Sequence, residues 1–175
     1  MDSEPEILKG EKCAFCNKNT LTLMQMERDI PYFGNIIIFS MQCENPECGY
    51  RKSDVEREQP SDKPVKESIE VTSEEDLKTR VVKSSTATIK IPRVGSIESG
   101  EASSGYVTNI EGVINRIKVQ IEKVRDTTDD DSEKKKCKNL VKKLNKVIMG
   151  REKISIQLED PNGNSAIISD KTIKK

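Results

Sequence analysis

Four of the five cysteines fall within the first 48 residues of this 175-residue chain, as Cys13-x2-Cys16 and Cys43-x4-Cys48. Each pair has the spacing of a knuckle that turns two thiolates toward one point. Four thiolates at about 2.3 Å close a tetrahedral Zn2+ site and leave no position for water, so the chemistry expected is structural Zn2+ binding by Cys13, Cys16, Cys43 and Cys48. Iron held by the same four thiolates stays open beside zinc. Two disulfides suit an oxidising compartment, and a redox Cys-x-x-Cys asks for a βαβ frame that the flanking residues do not form. Cys137 stands apart, on an apolar helical stripe, and reads as a packed core thiol.

The rest of the composition narrows the function. Histidine and tryptophan are absent, so an imidazole base, a His–carboxylate relay and a His-ligated metal are all excluded. No Gly-rich phosphate loop or nucleophile–base motif stands out, and the expectation is a protein that is not an enzyme, although Asp and Glu chemistry stays open. Thirty cations against thirty carboxylates give no global field for a polyanion or a membrane surface. The acidic, polar N-terminus and the lack of a long apolar run point to a cytoplasmic protein without a membrane partner.

Elements must position the sulfurs. Apolar residues make up only 33% of the chain, and a head of about 55 residues buries too little to order itself without a metal. Residues 1–55 are expected to form the four-cysteine unit, with strands at LTLMQME (21–27) and NIIIFSMQ (35–42) joined by RDIPYFG. Residues 56–66, with two prolines and no apolar period, are expected to be a linker. A second unit, 67–175, opens with the strand-like ESIEVT, RVVKSS and TATIKIP, the last alternating Ala87, Ile89 and Ile91 on one face. Gly95 to Gly105 is a small-residue loop.

The period then changes. Ile110, Val113, Ile114, Ile117, Ile121 and Val124 recur at helical steps, with Thr108 or Asn109 available as cap. Cys137, Leu140, Val141, Leu144, Val147 and Ile148 mark a second helix ending near Gly150, so residues 109–150 form a helical hairpin. KISIQLED and SAIISD follow as strands around the turn at Asp160-Pro161-Asn162-Gly163.

Three places could meet a partner. Tyr32 and Phe33 join the two head strands and either project as anchors or cover the underside of the sheet. Asn162 and Asn164 sit at a turn whose composition also has a purely conformational reading. Lys83 and Ser84 are the polar candidates in a segment that otherwise reads as core strands. The hairpin carries 11 cations and 7 carboxylates. Its lysines are commonly no more than a solvated face, and without interleaved aromatics nucleic acid is the minor alternative.

The strings C-x2-C, IPYF, CGYR, LKTRVVKSSTATIKIP, GYVTNIEGVINRI and LEDPNGNSAI, in this order from about Lys12 to Ile168, resemble the ZPR-type zinc-finger family. The single copy is similar to its archaeal members, whereas eukaryotic members carry two. The resemblance implies a small four-cysteine zinc ribbon followed by a β-rich domain of double-stranded β-helix type with an inserted α-helical hairpin. It further implies a zinc-dependent adaptor or folding factor for a translation elongation factor of the one-alpha type. The chain departs from the family in its second knuckle, x4 in place of x2, and in the loop GSIESGEASSG.

Overall fold

The computed structural model describes residues 4–59, 61, 63–100 and 102–175. Its first part is an antiparallel sheet of β1 (Glu6–Lys12), β2 (Asn19–Ile30), β3 (Gly34–Cys43) and β4 (Arg51–Arg57) in that spatial order. The two central strands are longer than the apolar runs suggest, because pairing from Leu21–Cys43 to Ile30–Gly34 continues through the polar residues between them. β1 was hidden in the sequence because all of its residues are exposed on the sheet edge. The linker expected from Glu56 starts later: Glu56 and Arg57 pair with Ile37 and Ile36 of β3, and the next strand already begins at Val65. Pro60 and Asp62 of that segment lie outside the described residues.

The second part contains β5 (Val65–Val71), β6 (Arg80–Lys83), β7 (Thr88–Ile91), β8 (Gly95–Ile97) and β9 (Tyr106–Asn109). It continues with α1 (Ile110–Thr127), α2 (Asp131–Ile148), β10 (Ile154–Asp160), β11 (Ala166–Ile168) and β12 (Ile173–Lys174). These strands make a five-stranded sheet, β12-β5-β10-β7-β8, and a three-stranded sheet, β11-β6-β9. Ile69, Ile89, Ile91, Ile156 and Leu158 of the first and Val81 and Ile167 of the second share one core. Each such side chain contributes about 1.5–3 kcal/mol by leaving water.

The helical hairpin is inserted between β9 and β10 and adds Ile110, Val113, Ile114, Ile117, Ile121, Cys137, Leu144 and Val147 to that core. Asn109 caps α1 by accepting from the Gly112 amide at 2.8 Å, and Asp130 caps α2 by accepting from Ser132 at 2.8 Å. Val124, expected on the buried stripe, is exposed, because it borders an open groove bounded by both helices and the start of β8. No helix among the described residues is long and apolar enough to cross a membrane.

Alternation along β6 ties the two parts together. Val81 points into the main core, while Val82 packs with Ile30, Ile36 and Val55 of the first sheet. At the same joint Asp54 of β4 accepts from the Ser85 amide at 2.8 Å and from the Ser85 hydroxyl. Ser53 and Gly105 exchange two bonds of 2.8 Å. A Cβ on Gly105 would lie 2.4 Å from Asp54 Oδ1, so only glycine admits this approach.

Candidate metal centre

Both knuckles are backbone turns at the end of the first sheet. In the first, the Cys13 amide donates to Lys18 and the Asn17 amide to Cys13, each at 2.9 Å. In the second, Cys43 donates to Tyr50 at 2.8 Å, while Cys48 and Gly49 turn back onto the Asn45 carbonyl at 3.0 and 3.2 Å. The two additional residues of this knuckle are absorbed by that turn, and Cys48 still faces the first pair.

The four sulfurs lie within 4.8 Å of one another. Cys13 Sγ is 3.8 Å from Cys48 Sγ, and Cys16 Sγ is 3.7 Å from Cys43 Sγ. A tetrahedron of thiolates about 2.3 Å from Zn2+ has edges of about 3.8 Å, so the donor set and its spacing fit one structural Zn2+. The Lys18 amide draws Cys16 down to about 6. At Cys48 burial and the neighbouring thiols outweigh the Tyr50 amide and push it up to about 11. Four negative sulfurs at this separation repel one another, and a divalent cation between them removes that repulsion.

Around the sulfurs, Thr20 Oγ1 lies 3.2 Å from Cys43 Sγ. Leu21, Leu23 and Tyr50 pack against the cysteines, and the exposed Phe15 ring stacks on Tyr50 at 4.4 Å. Cys137 is far from this set in role, packed in the main core.

The other candidates separate. Tyr32 is fully exposed and holds a left-handed backbone, φ 67°. Phe33 is half-buried at the joint, with the Arg57 guanidinium 4.5 Å above its ring and Arg57 Nη2 donating to its carbonyl at 3.2 Å. Covering the sheet's underside therefore describes Phe33, and projection describes Tyr32. Asn162 is exposed. Asn164 is half-buried and accepts from the Arg57 amide at 3.3 Å.

Lys83 and Ser84 correct the sequence reading, since both are buried. Lys83 Nζ donates to the Ser84 carbonyl and to Ser103 Oγ, each at 3.0 Å, and lies over the Tyr106 ring. Burial pushes its pKa down, while Asp54 and Asp160 pull it back up. A lysine reads as surface in a sequence; here the loop closed by Ser103 covers it.

The residues that sequence reasoning missed are the polar groups of the joint. Asp160 accepts from Ser84 and Ser165 on one oxygen at 2.9 and 2.6 Å, and from Thr86 and the Asn162 amide on the other at 2.8 and 3.0 Å. The signal was present as two unusual strings, VVKSSTATIKIP and LEDPNGNS, but nothing local said that they meet.

Comparison with known proteins agrees with both parts. Residues 6–60 match the ZPR1 zinc-finger domain and residues 75–175 the ZPR1 jelly-roll domain. An uncharacterised ZPR1-like protein of Methanocaldococcus jannaschii is 37% identical over 160 residues, covering 90% of this chain and 79% of the relative. One of Pyrococcus horikoshii is 37% identical over 175 residues, covering 95% and 75%. The zinc finger chaperone zpr1 of Schizosaccharomyces pombe is 28% identical over 160 residues, covering 89% of this chain and 33% of that protein.

Proposed function

The chain belongs to the ZPR1 family, and from that premise we propose that it is a noncatalytic zinc-binding adaptor or folding factor acting on a translation elongation factor of the one-alpha type. The observation that carries this reading is the closed four-sulfur set: with every coordination position filled by thiolate, the metal holds shape and offers no site for a reacting water. Likeness to a fission-yeast zinc finger chaperone supports a role in binding another protein. We place it in the cytoplasm, with residues 1–55 as the docking head and residues 67–175 as the body.

Tyr32 is the anchor in this scheme. Its ring stands free of the sheet, at the third position of a turn closed by the Phe33 amide on the Ile30 carbonyl at 2.9 Å, where the turn itself uses a left-handed backbone and glycine would serve without strain. Asn162 and Asn164 contribute less, Asn164 being tied to the Arg57 amide that adjoins Phe33.

A pull-down from native lysate with tagged protein tests the reading. Enrichment of the elongation factor, lost on chelation and in Tyr32→Ala, supports it. An unenriched elongation factor in untreated lysate removes it. The lysines of α2 favour one second reading, nucleic-acid binding, which requires an affinity for RNA or DNA that falls steeply with salt.

A further inference from the structure

Lys83 and Tyr106 stand opposite one another on β6 and β9, so both side chains leave the same face of the three-stranded sheet. Above them, Ser99, Gly100, Ala102, Ser103 and Ser104 are too small to fill the space out to α1. A cavity of about 490 Å³ remains between this loop, the Tyr106 ring and Arg116. The groups around it are donors that lack acceptors. Ser103 Oγ accepts from Lys83 Nζ at 3.0 Å, which leaves its own O–H without an acceptor among the described residues. Tyr106 Oη is shut off from water and has no partner. The Arg116 guanidinium lies 4.0 Å above the Tyr106 ring and makes no hydrogen bond or ion pair among the described residues. Glu98, the one carboxylate among the described lining residues, accepts from the Ser96 hydroxyl.

A hydroxyl held from water without a partner is costly, and donors gathered round one unpaired guanidinium select an anion. We propose that this cavity binds the phosphate group of a small phosphate monoester. The Arg116 fork and the Ser103 and Tyr106 hydroxyls donate to its oxygens, and Lys83, behind Ser103, fixes the direction in which that hydroxyl donates. Three donor groups match the three free oxygens of a phosphate monoester, whereas a carboxylate offers two, and the planar fork of arginine suits phosphate geometry. The cavity is larger than the phosphate alone and leaves room for the group that carries it. This site lies in the β-rich part and is measured on the chain by itself, so it stands or falls apart from the elongation-factor reading.

Isothermal titration of the full chain with glycerol phosphate, inorganic phosphate and acetate at one ionic strength tests this. Saturable binding of both phosphates is expected, at least about tenfold tighter than acetate. Arg116→Gln, at an exposed position, should weaken phosphate binding about tenfold. Arg116→Lys should recover only part of that loss, because an ammonium lacks the fork. Tyr106→Phe should also weaken binding, while the ligand-free variant melts as the parent does, since the hydroxyl has no partner to lose. Lys142→Gln, which removes an exposed cation of α2, should change nothing. No saturable binding, acetate bound as tightly as phosphate, binding unchanged in Arg116→Gln or Tyr106→Phe, or an equal loss in Lys142→Gln would overturn the proposal.

Discussion

Ser84 donates its hydroxyl to Asp160 Oδ2 at 2.9 Å, joining two strings 76 residues apart. Thr86, Ser165 and the Asn162 amide complete the shell, so the carboxylate organises both motif segments at once. Asp160→Ala strands several buried donors, each costing about 1–3 kcal/mol when unpaired. We expect the β-rich part to melt far lower in this variant while metal content stays at the parent level. Calorimetry with metal analysis checks it, and a melting curve like the parent's would deny Asp160 this role.

Acid should act through the same kind of group. Lys171 beside Asp76, at 2.6 Å, and the Thr72 and Ser73 donors outweigh burial and hold its carboxyl well below the usual range. Asp160 is also lowered: burial raises it, but the bonds from Ser165, Thr86, Asn162 and Ser84 prevail. With folded values below unfolded ones, the unfolded chain takes up protons first as pH falls. The contribution is therefore whole above about pH 4 and lost progressively below it. Asp76→Asn should lower stability by about 1–3 kcal/mol near neutrality, and its deficit should shrink on acidification. A deficit constant with pH in melting curves would contradict the assignment.

Gly105→Ala isolates the joint sterically. The added Cβ meets Asp54 Oδ1 at 2.4 Å and the Val55 amide at 2.7 Å, so β4 must move away from Ser85. Overpacking of this kind costs about 1–3 kcal/mol. Hydrogen exchange should quicken at Val55 and Ser85 in particular; exchange unchanged at both would show that the parts are not coupled there.

Tyr32 separates stability from binding. Because φ is 67° and the ring is fully exposed, Tyr32→Gly should leave the fold as stable as the parent or more stable by about 1 kcal/mol. Partner capture should fall in the same variant. Lower stability in this variant would mean that the ring supports the fold after all.

Legibility followed the range of the physics. The cysteine pairs were readable because knuckle geometry is local, and the stripes of α1 and α2 because burial imprints a period on the residues. Ala87, Ile89 and Ile91 alternate in sequence and are all buried. β1 was not readable: an edge strand exposed at every residue carries no apolar imprint. Lys83 misled because a lone lysine is buried only by the tertiary closure of Ser103 and Tyr106 over it. The Asp54–Ser85 contact joins β4 of the first sheet to the turn between β6 and β7, and no window of sequence contains both.

Four thiolates holding one ion give the first sheet its order. Hydrogen exchange across residues 12–50, measured with metal content before and after chelation, reads this dependence. One zinc per chain is expected, with protection of β2 and β3 that collapses when the metal is removed while β5 and β10 remain largely protected. Full protection of β2 and β3 in metal-free protein would contradict it.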